Sequence, residues 1–403
     1  MTRPAAGQSP IRNVVVIVLE SVAAQYLDLY GGSYAITPVL SSLANESLLV
    51  RNAYSHSVAS HISMASILSS TYPWISLKTI TKDAPNTQLT YLPNLLKGYG
   101  SRTAFFHSSD TRHSGVDHFL PRTGFETIQD YRERSCDSII VDESEFYSQA
   151  TPDSCTFQAM RDWIVSSPGK PFFAMLWTLQ QHYPYFRTKE TRSYDFPTLR
   201  DEKWTAEHKA PYLDSIAEAD TLIGNLVNDL RDLKLLDETL IIVTGDHGEA
   251  FQQHGSFGHG KGLYEEEVHV PLLLINPRLF PFRSTERVVG HIDIAPTVLD
   301  VLAIPSPSEW QGKSLFQPKR EEPIYFFTAW LDYKVGYRLG SRKSVVSLLS
   351  DQVETYNLDM DPQEKINTSA KDPTIKTVEK VRIIDWVHNQ NKFILSKMAP
   401  KSR

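Results

Sequence analysis

Cysteine is scarce in this 403-residue chain, which has only Cys136 and Cys155. Two thiols are too few for a disulfide scaffold or a thiolate metal cluster; they either close one bridge across a polar loop or stay separate. Long hydrophobic runs are also missing. None is longer than Val14 to Leu19, far short of the ~18–20 residues of a membrane span. The opening MTRPAAGQSP has no apolar signal core. This places the protein in the cytoplasm if the chain is complete, and outside it if the chain is the soluble part of something longer. Basic runs and internal repeats are absent, and 41 Lys and Arg stand against 47 Asp and Glu for a net charge of −6. A general nucleic-acid partner is therefore not expected. The chain is 41% hydrophobic and 22% charged, an ordinary globular composition.

Strand-length apolar runs alternate with helical patterns. Asn13 to Leu19 is continuous and β-branched, as in a strand covered on both faces of a parallel sheet. Further runs are Ser101–Phe106, Pro171–Trp177, Thr239–Thr244 and Val270–Ile275. Thr37-Pro38 followed by Val39, Leu40, Leu43 and Leu48 predicts a helix with Pro in its first turn. Ala206 to Leu235 has apolar residues at three-to-four spacing. The alternation predicts a doubly wound α/β fold, a mostly parallel sheet flanked by helices, with its site beyond the carboxyl ends of the strands. After about residue 310 the texture changes to linker-like segments, short strands (Ile324–Phe327, Ser344–Leu349) and a final helix from about Thr374 to Leu395. The expected organisation is a catalytic domain over 1–310 and a small C-terminal α+β subdomain over 311–403.

Four segments could carry chemistry. Glu20 ends the run VVVIVLE, where α/β proteins place ligands, or it caps a helix starting at Ser21. Thr244-Gly-Asp-His-Gly-Glu249 ends another strand in the same way, and a neighbouring Asp and His can face one cation. Three of the chain's thirteen histidines, His247, His254 and His259, cluster here with Lys261 in a Gly-rich loop. Ser55 to Ser70 reads as a loop entering a helix with a small-residue face; a hydroxyl at that N-terminus serves an anion site or plain capping. His182 lies just past the strand that ends at Trp177.

Together these segments resemble the sulfatase branch of the alkaline phosphatase superfamily. The resemblance runs in order through VVVIVLES, SHISMASILSSTYP (Ser60 to Pro73), GDHGEAFQQHGSFGHGKGLYEEEVHVPLLLINP (Gly245 to Pro277), His291 to Thr297, and Tyr356 to Glu364. It implies one divalent ion held by Glu20, Ser60, Asp246 and His247, with Zn²⁺ or Mn²⁺ favoured and Mg²⁺ or Ca²⁺ possible. Glutamate at the first position is similar to lipoteichoic acid synthases and phosphoethanolamine transferases. That likeness implies substrate contacts from His182 and His259, with His254 and Lys261 as further candidates. The pentad Ser60-His61-Ile62-Ser63-Met64 lacks the Pro and Arg of the formylglycine motif, so an unmodified serine is the expected nucleophile. Ser60 is preferred, and Ser57 is the alternative register.

The expected function is a metal-dependent hydrolase or transferase that cleaves a phosphate ester through a phosphoserine. A sulfuric ester hydrolase is the alternative, and a non-catalytic anion or glycan binder is the second. The substrate would be a small-molecule, glycan or lipid-headgroup ester; the aromatics Trp74, Trp177, Tyr183 and Tyr185 either border it or belong to the core. Oligomeric state is not legible.

Overall fold

The computed structural model describes residues 9–133, 136, 149–199, 203–318, 322–371 and 373–398. Its strands are β1 (Asn13–Leu19), β2 (Ser47–Tyr54), β3 (Arg102–His107), β4 (Thr127–Gln129), β5 (Phe172–Trp177), β6 (Thr239–Gly245), β7 (Ala250–Phe251), β8 (Phe257–Gly258), β9 (His269–Val270), β10 (Leu272–Ile275), β11 (Arg283–Gly290), β12 (Ile324–Thr328), β13 (Lys334–Leu339), β14 (Arg342–Ser347) and β15 (Val353–Asn357).

Nine of these form one sheet in the order β11-β2-β10-β6-β1-β5-β3-β4, with β9 also paired to β2. The central strands β6, β1, β5 and β3 run parallel. β1 and β5 are apolar at nearly every position and β6 through its middle, because all three are buried along their whole length. One hydrophobic cluster lies on each face: Val14, Val16 and Val18 point into one, Val15, Ile17 and Leu19 into the other. This is the predicted α/β architecture.

Two local readings are corrected. The helix after Pro38 stops at Leu43, and Leu48 lies in β2. The run Val270–Ile275 splits around Pro271 into β9 and β10, and β10 runs antiparallel to both β2 and β6. Proline has no N–H to give a ladder, which marks the break. The long helices occupy Lys203–Asp232 and Pro373–Met398, close to their predicted spans.

Of the remaining strands, β7 and β8 pair with each other, and β12-β13-β14-β15 form an antiparallel C-terminal sheet. It joins the main body beside the serine helix: Phe327 N donates to His56 O at 3.0 Å, and Ser57 bridges Phe327 in parallel. Cys136 and Cys155 form a disulfide, which settles the two alternatives left by the sequence. No helix among the described residues is long and apolar enough to cross a membrane.

Candidate active site

The carboxyl ends of β1, β5 and β6 place Glu20, Trp177 and Asp246 side by side, as expected for a parallel sheet whose strands point the same way. The backbone is drawn tight here. Ser21 takes a left-handed φ of 58°, which turns its N–H onto Asp246 Oδ1 at 2.8 Å. Glycine is needed on both sides of the Asp246-His247 pair. A Cβ at Gly245 would meet Val22 O at 2.3 Å, and one at Gly248 would meet Glu266 O at 2.2 Å.

Ser60 is the first residue of the helix Ser60–Ser69. Ser63, one turn on, donates to Asp246 O at 2.8 Å and ties that helix to the turn after β6. Ser60 Oγ therefore arrives 3.1 Å from Glu20 Oε1 and 3.3 Å from His247 Nε2. Ser57 does not line the cleft; it is buried, and its carbonyl accepts from Ser63 Oγ.

Glu20, Asp246 and His247 are all buried, and each offers one ligand atom within 4.8 Å of the others. His247 Nδ1–H donates to Gly248 O at 3.0 Å, which leaves a lone pair on Nε2. That lone pair faces Asp246 Oδ2 at 3.4 Å and Glu20 Oε1 at 3.7 Å. Asp246 Oδ2 accepts no hydrogen bond although it is buried. Acceptors facing acceptors in a buried place repel unless a cation stands between them. The titration directions agree. Burial pushes the Glu20 carboxyl up and Asp246 adds to it; burial also pushes Asp246 up. Burial, and after it His259, holds the His247 imidazole down to about 4. Two carboxylate oxygens, a neutral imidazole and an alcohol form a donor set that fits one divalent ion.

Neighbouring groups hold this set in place. Trp177 Nε1 donates to Glu20 Oε2 at 2.9 Å, and Glu20 N donates to Thr178 Oγ1 at 3.0 Å. His259 stands across from His247, with ring centroids 4.3 Å apart, and its Nδ1–H donates to buried Glu249 at 2.6 Å. Burial alone would lower the His259 pKa, but the Glu249 carboxylate outweighs it and raises it to about 9. The His182 ring lies 5.8 Å from that of His259, and its Nδ1 donates to Tyr183 O.

Ser60, Glu20, His182 and His259 border a cleft of about 400 Å³, and Asp246 and His247 lie just beneath. His254 and Lys261, the further candidates for substrate contact, are not among the described residues that line it. His254 turns away to Glu266 Oε1 (2.7 Å) and Gln363 O (3.1 Å) and stacks on Tyr264, while Lys261 is solvent-exposed. Trp177 and Tyr183 line the cleft; Trp74 and Tyr185 do not. Sequence reasoning missed His61, His107, His113 and Trp330, which line it as well. His107 ends β3 beside β5, so the strand-end rule that drew attention to Glu20 could have found it. Burial holds His61 down to about 4 and lowers His113.

Comparison with known proteins extends this geometry. The family model described as Sulfatase matches residues 12–304, and that for the C-terminal part of N-sulphoglucosamine sulphohydrolase matches 253–384. Arylsulfatase K of Xenopus laevis is 32% identical over 164 residues, 40% of this chain and 30% of that protein. The match thus spans under a third of that relative's length. Among solved structures, a protein of the alkaline phosphatase superfamily from Vibrio parahaemolyticus superposes with a TM-score of 0.78 at 20% identity, covering 99% of this chain and 91% of that one. The lipoteichoic acid synthase LtaP of Listeria monocytogenes gives 0.74 at 19%, covering 98% and 95%. A protein solved with its substrate D-glucosamine-2-N,6-O-disulfate gives 0.71 at 17%, covering 98% and 99%. These three likenesses show the shared fold. The Sulfatase match takes in every strand of the large sheet and the helix that carries Ser60, and the chain belongs to the sulfatase family.

Proposed function

We propose that the chain hydrolyses a sulfuric ester with the help of one divalent cation, through Ser60. The observation that carries the reading is the approach of the Ser60 hydroxyl to Glu20 and His247, within 3.3 Å of both, at the floor of an open cleft. The order of the two esters is reversed from the sequence expectation. Kinship with arylsulfatase K and with the N-sulphoglucosamine sulphohydrolase C-terminal model favours sulfate over phosphate.

Glu20, Asp246, His247 and Ser60 would hold the ion, Zn²⁺ or Mn²⁺ by the mixed oxygen and imidazole donors, with Mg²⁺ and Ca²⁺ as competitors. When bound, such an ion lowers the pKa of the serine hydroxyl and offsets charge on the transferred group. Ser60 Oγ, deprotonated, attacks sulfur as the bond from sulfur to the ester oxygen breaks. His259, cationic at neutral pH, protonates the departing alcohol, and His182 steadies the sulfuryl oxygens. Water then attacks the sulfated serine and gives its proton to His259. Hydrogen sulfate leaves and the Ser60 oxyanion returns. Because Cys136 and Cys155 are bridged, the reading places the protein in an oxidising compartment outside the cytoplasm.

One feature favours phosphate as a second reading: the Ser60–Met64 pentad lacks Pro and Arg, and a phosphoserine is easier than a sulfated serine for water to cleave. A metal-supplemented screen of an aryl sulfate, a phosphomonoester and a phosphodiester decides between them, with Ser60 checked by mass spectrometry for formylglycine. We expect sulfate release that falls by about 10³-fold or more in Ser60→Ala and stops with a chelator, the circular dichroism unchanged. Cleavage of phosphoesters alone would install the second reading. Inactivity on every ester, with no metal bound, would leave an anion-binding protein.

A further inference from the structure

His259 sits between two glycines in left-handed backbone, Gly258 at φ 81° and Gly260 at φ 98°. Such a segment has little stiffness of its own, so its place is set by what holds it from outside. Glu249 holds the ring. The backbone is held by Glu267, from the short helix Glu265–Val268. Its Oε2 accepts from Gly260 N at 3.3 Å and from Gly262 N at 3.1 Å, so one oxygen closes the turn that follows His259. Glycine at 262 permits this approach: a Cβ there would lie 3.1 Å from Glu267 Oε1 and 2.9 Å from Tyr264 Cδ2. The main chain of Glu267 reaches the other side of the site, its carbonyl accepting from Gly248 N at 2.8 Å, beside His247. An acid is a costly choice here. Glu267 is fully buried, its Oε1 accepts no hydrogen bond among the described residues, and burial raises its pKa to about 7. A methionine would fill the same space without that penalty. What the carboxylate adds is an acceptor for two loop N–H groups.

We infer that Glu267 is a positioning residue for the reaction: by clamping Gly260 and Gly262 it holds His259 where the imidazole can hand a proton to the departing alcohol. This rests on the hydrolase reading above and deepens it by naming what sets its proton donor in place. The ring bond to Glu249 fixes how the imidazole is turned; the Glu267 clamp fixes where the chain beneath it runs.

Glu267→Met, close in length and volume, removes the acceptor, and Glu267→Gln keeps one. With Zn²⁺ supplied throughout, both are assayed on 4-nitrophenyl sulfate and 2-phenylethyl sulfate, or on the matching phosphates should the wild-type chain cleave only those. Nitrophenolate departs with little help from a proton donor, whereas an alkoxide needs one. Glu267→Met should lower kcat on the phenylethyl ester by about 10²-fold and on the nitrophenyl ester by roughly threefold or less, with KM little changed. Glu267→Gln should recover most of the loss. Adding Glu267→Met to His259→Ala should slow the phenylethyl ester no further, since the two residues act as one unit. Equal losses on both esters, or losses that multiply in the double variant, overturn the inference. Should Glu267→Met fold poorly, Glu267→Ala is read in the same way. Proton NMR of the His259 Nδ1–H, moved downfield by its short bond to Glu249, separates this inference from the hydrolase reading. If the wild type cleaves no ester yet that signal is lost in Glu267→Met and kept in Glu267→Gln, the hydrolase reading fails and the positioning stands. A signal that both variants leave unchanged overturns the positioning in an active and an inactive chain alike.

Discussion

Trp177 shows how much of this centre depends on residues that hold a ligand carboxylate in place. Its indole N–H fixes Glu20 Oε2, leaving Oε1 aimed at Ser60 and His247. A carboxylate ligand without such a partner can rotate, and partners of this kind are typically worth about 10–100-fold in metal affinity. Trp177→Phe removes the donor and, at this fully buried position, the second ring of the indole. We expect metal affinity, read by titration with a competing chelator, to fall by about that factor, with a loss of thermal stability from the cavity and the unpaired Glu20 oxygen. An unchanged affinity would mean that packing alone orients Glu20. At this scale the sequence was legible where a chemically pointed residue ends an apolar run, as at Glu20 and Asp246. It was not legible where the direction of a loop decides. Nothing in GHGKG says that His259 turns in to Glu249 and the cleft while Lys261 turns out to solvent.

Among the strands, those of the sheet centre were legible because their burial is total. A strand covered on both faces, such as β1 or β5, must be apolar throughout and leaves its mark in composition. β2 does not: its polar Arg51 and Asn52 are only half-buried, and its fifth and sixth positions break the apolar run, so it was absorbed into the preceding helix pattern. The short helix Pro38–Leu43 owes its position to a tertiary contact that the sequence hides. Asp220, on the long helix, accepts from Val39 N at 2.9 Å and Leu40 N at 2.8 Å, capping a helix start that Thr37 leaves without a side-chain cap. Burial raises the Asp220 pKa from 3.8 to about 6. An acid whose folded pKa is raised binds its proton more tightly folded than unfolded. Its contribution to stability is thus present below pH 3.8 and lost as pH rises through about 6. Urea titrations from pH 4 to 7 should show this declining slope in the wild type, on the order of 2–3 kcal/mol across the window. Asp220→Asn, which cannot ionise, should flatten it; an identical slope in both proteins would assign the effect to other carboxylates.

For the molecule as a whole, the C-terminal sheet determines whether the site holds its shape. β12 pairs with the loop that leads into the Ser60 helix, and Thr328 Oγ1 donates to Gly260 O at 2.8 Å, beside His259. The two sheets are joined by a charge cluster of low accessibility. Lys343, on β14 and fully buried, reaches Glu265 at 3.0 Å and Glu364 at 2.8 Å. Glu265 also accepts from Tyr54 of β2 at 2.8 Å. Glu364 closes the ring by accepting from Glu265 N at 2.7 Å, which gives a structural reason for the Tyr356–Glu364 motif noticed in the sequence. Burial works to raise the Glu265 pKa, but the lysine and its cationic neighbours hold that carboxyl to about 2. Lys343→Met preserves length and apolar stem yet leaves Glu364 without its lysine and Glu265 with only Arg338 and His269 beside it in a dry interface, an effect of about 3–5 kcal/mol for a broken buried pair. The triple variant with Glu265→Gln and Glu364→Gln should recover much of that loss, because it removes the stranded charges along with their partner. If the cluster links the sheets as the geometry indicates, Lys343→Met should also expose the serine and histidine loops. Hydrogen exchange should then quicken at residues 55–60 and 258–262 well before it quickens in β1 and β6, whereas uniform acceleration across the chain would show the two sheets unfolding as one unit.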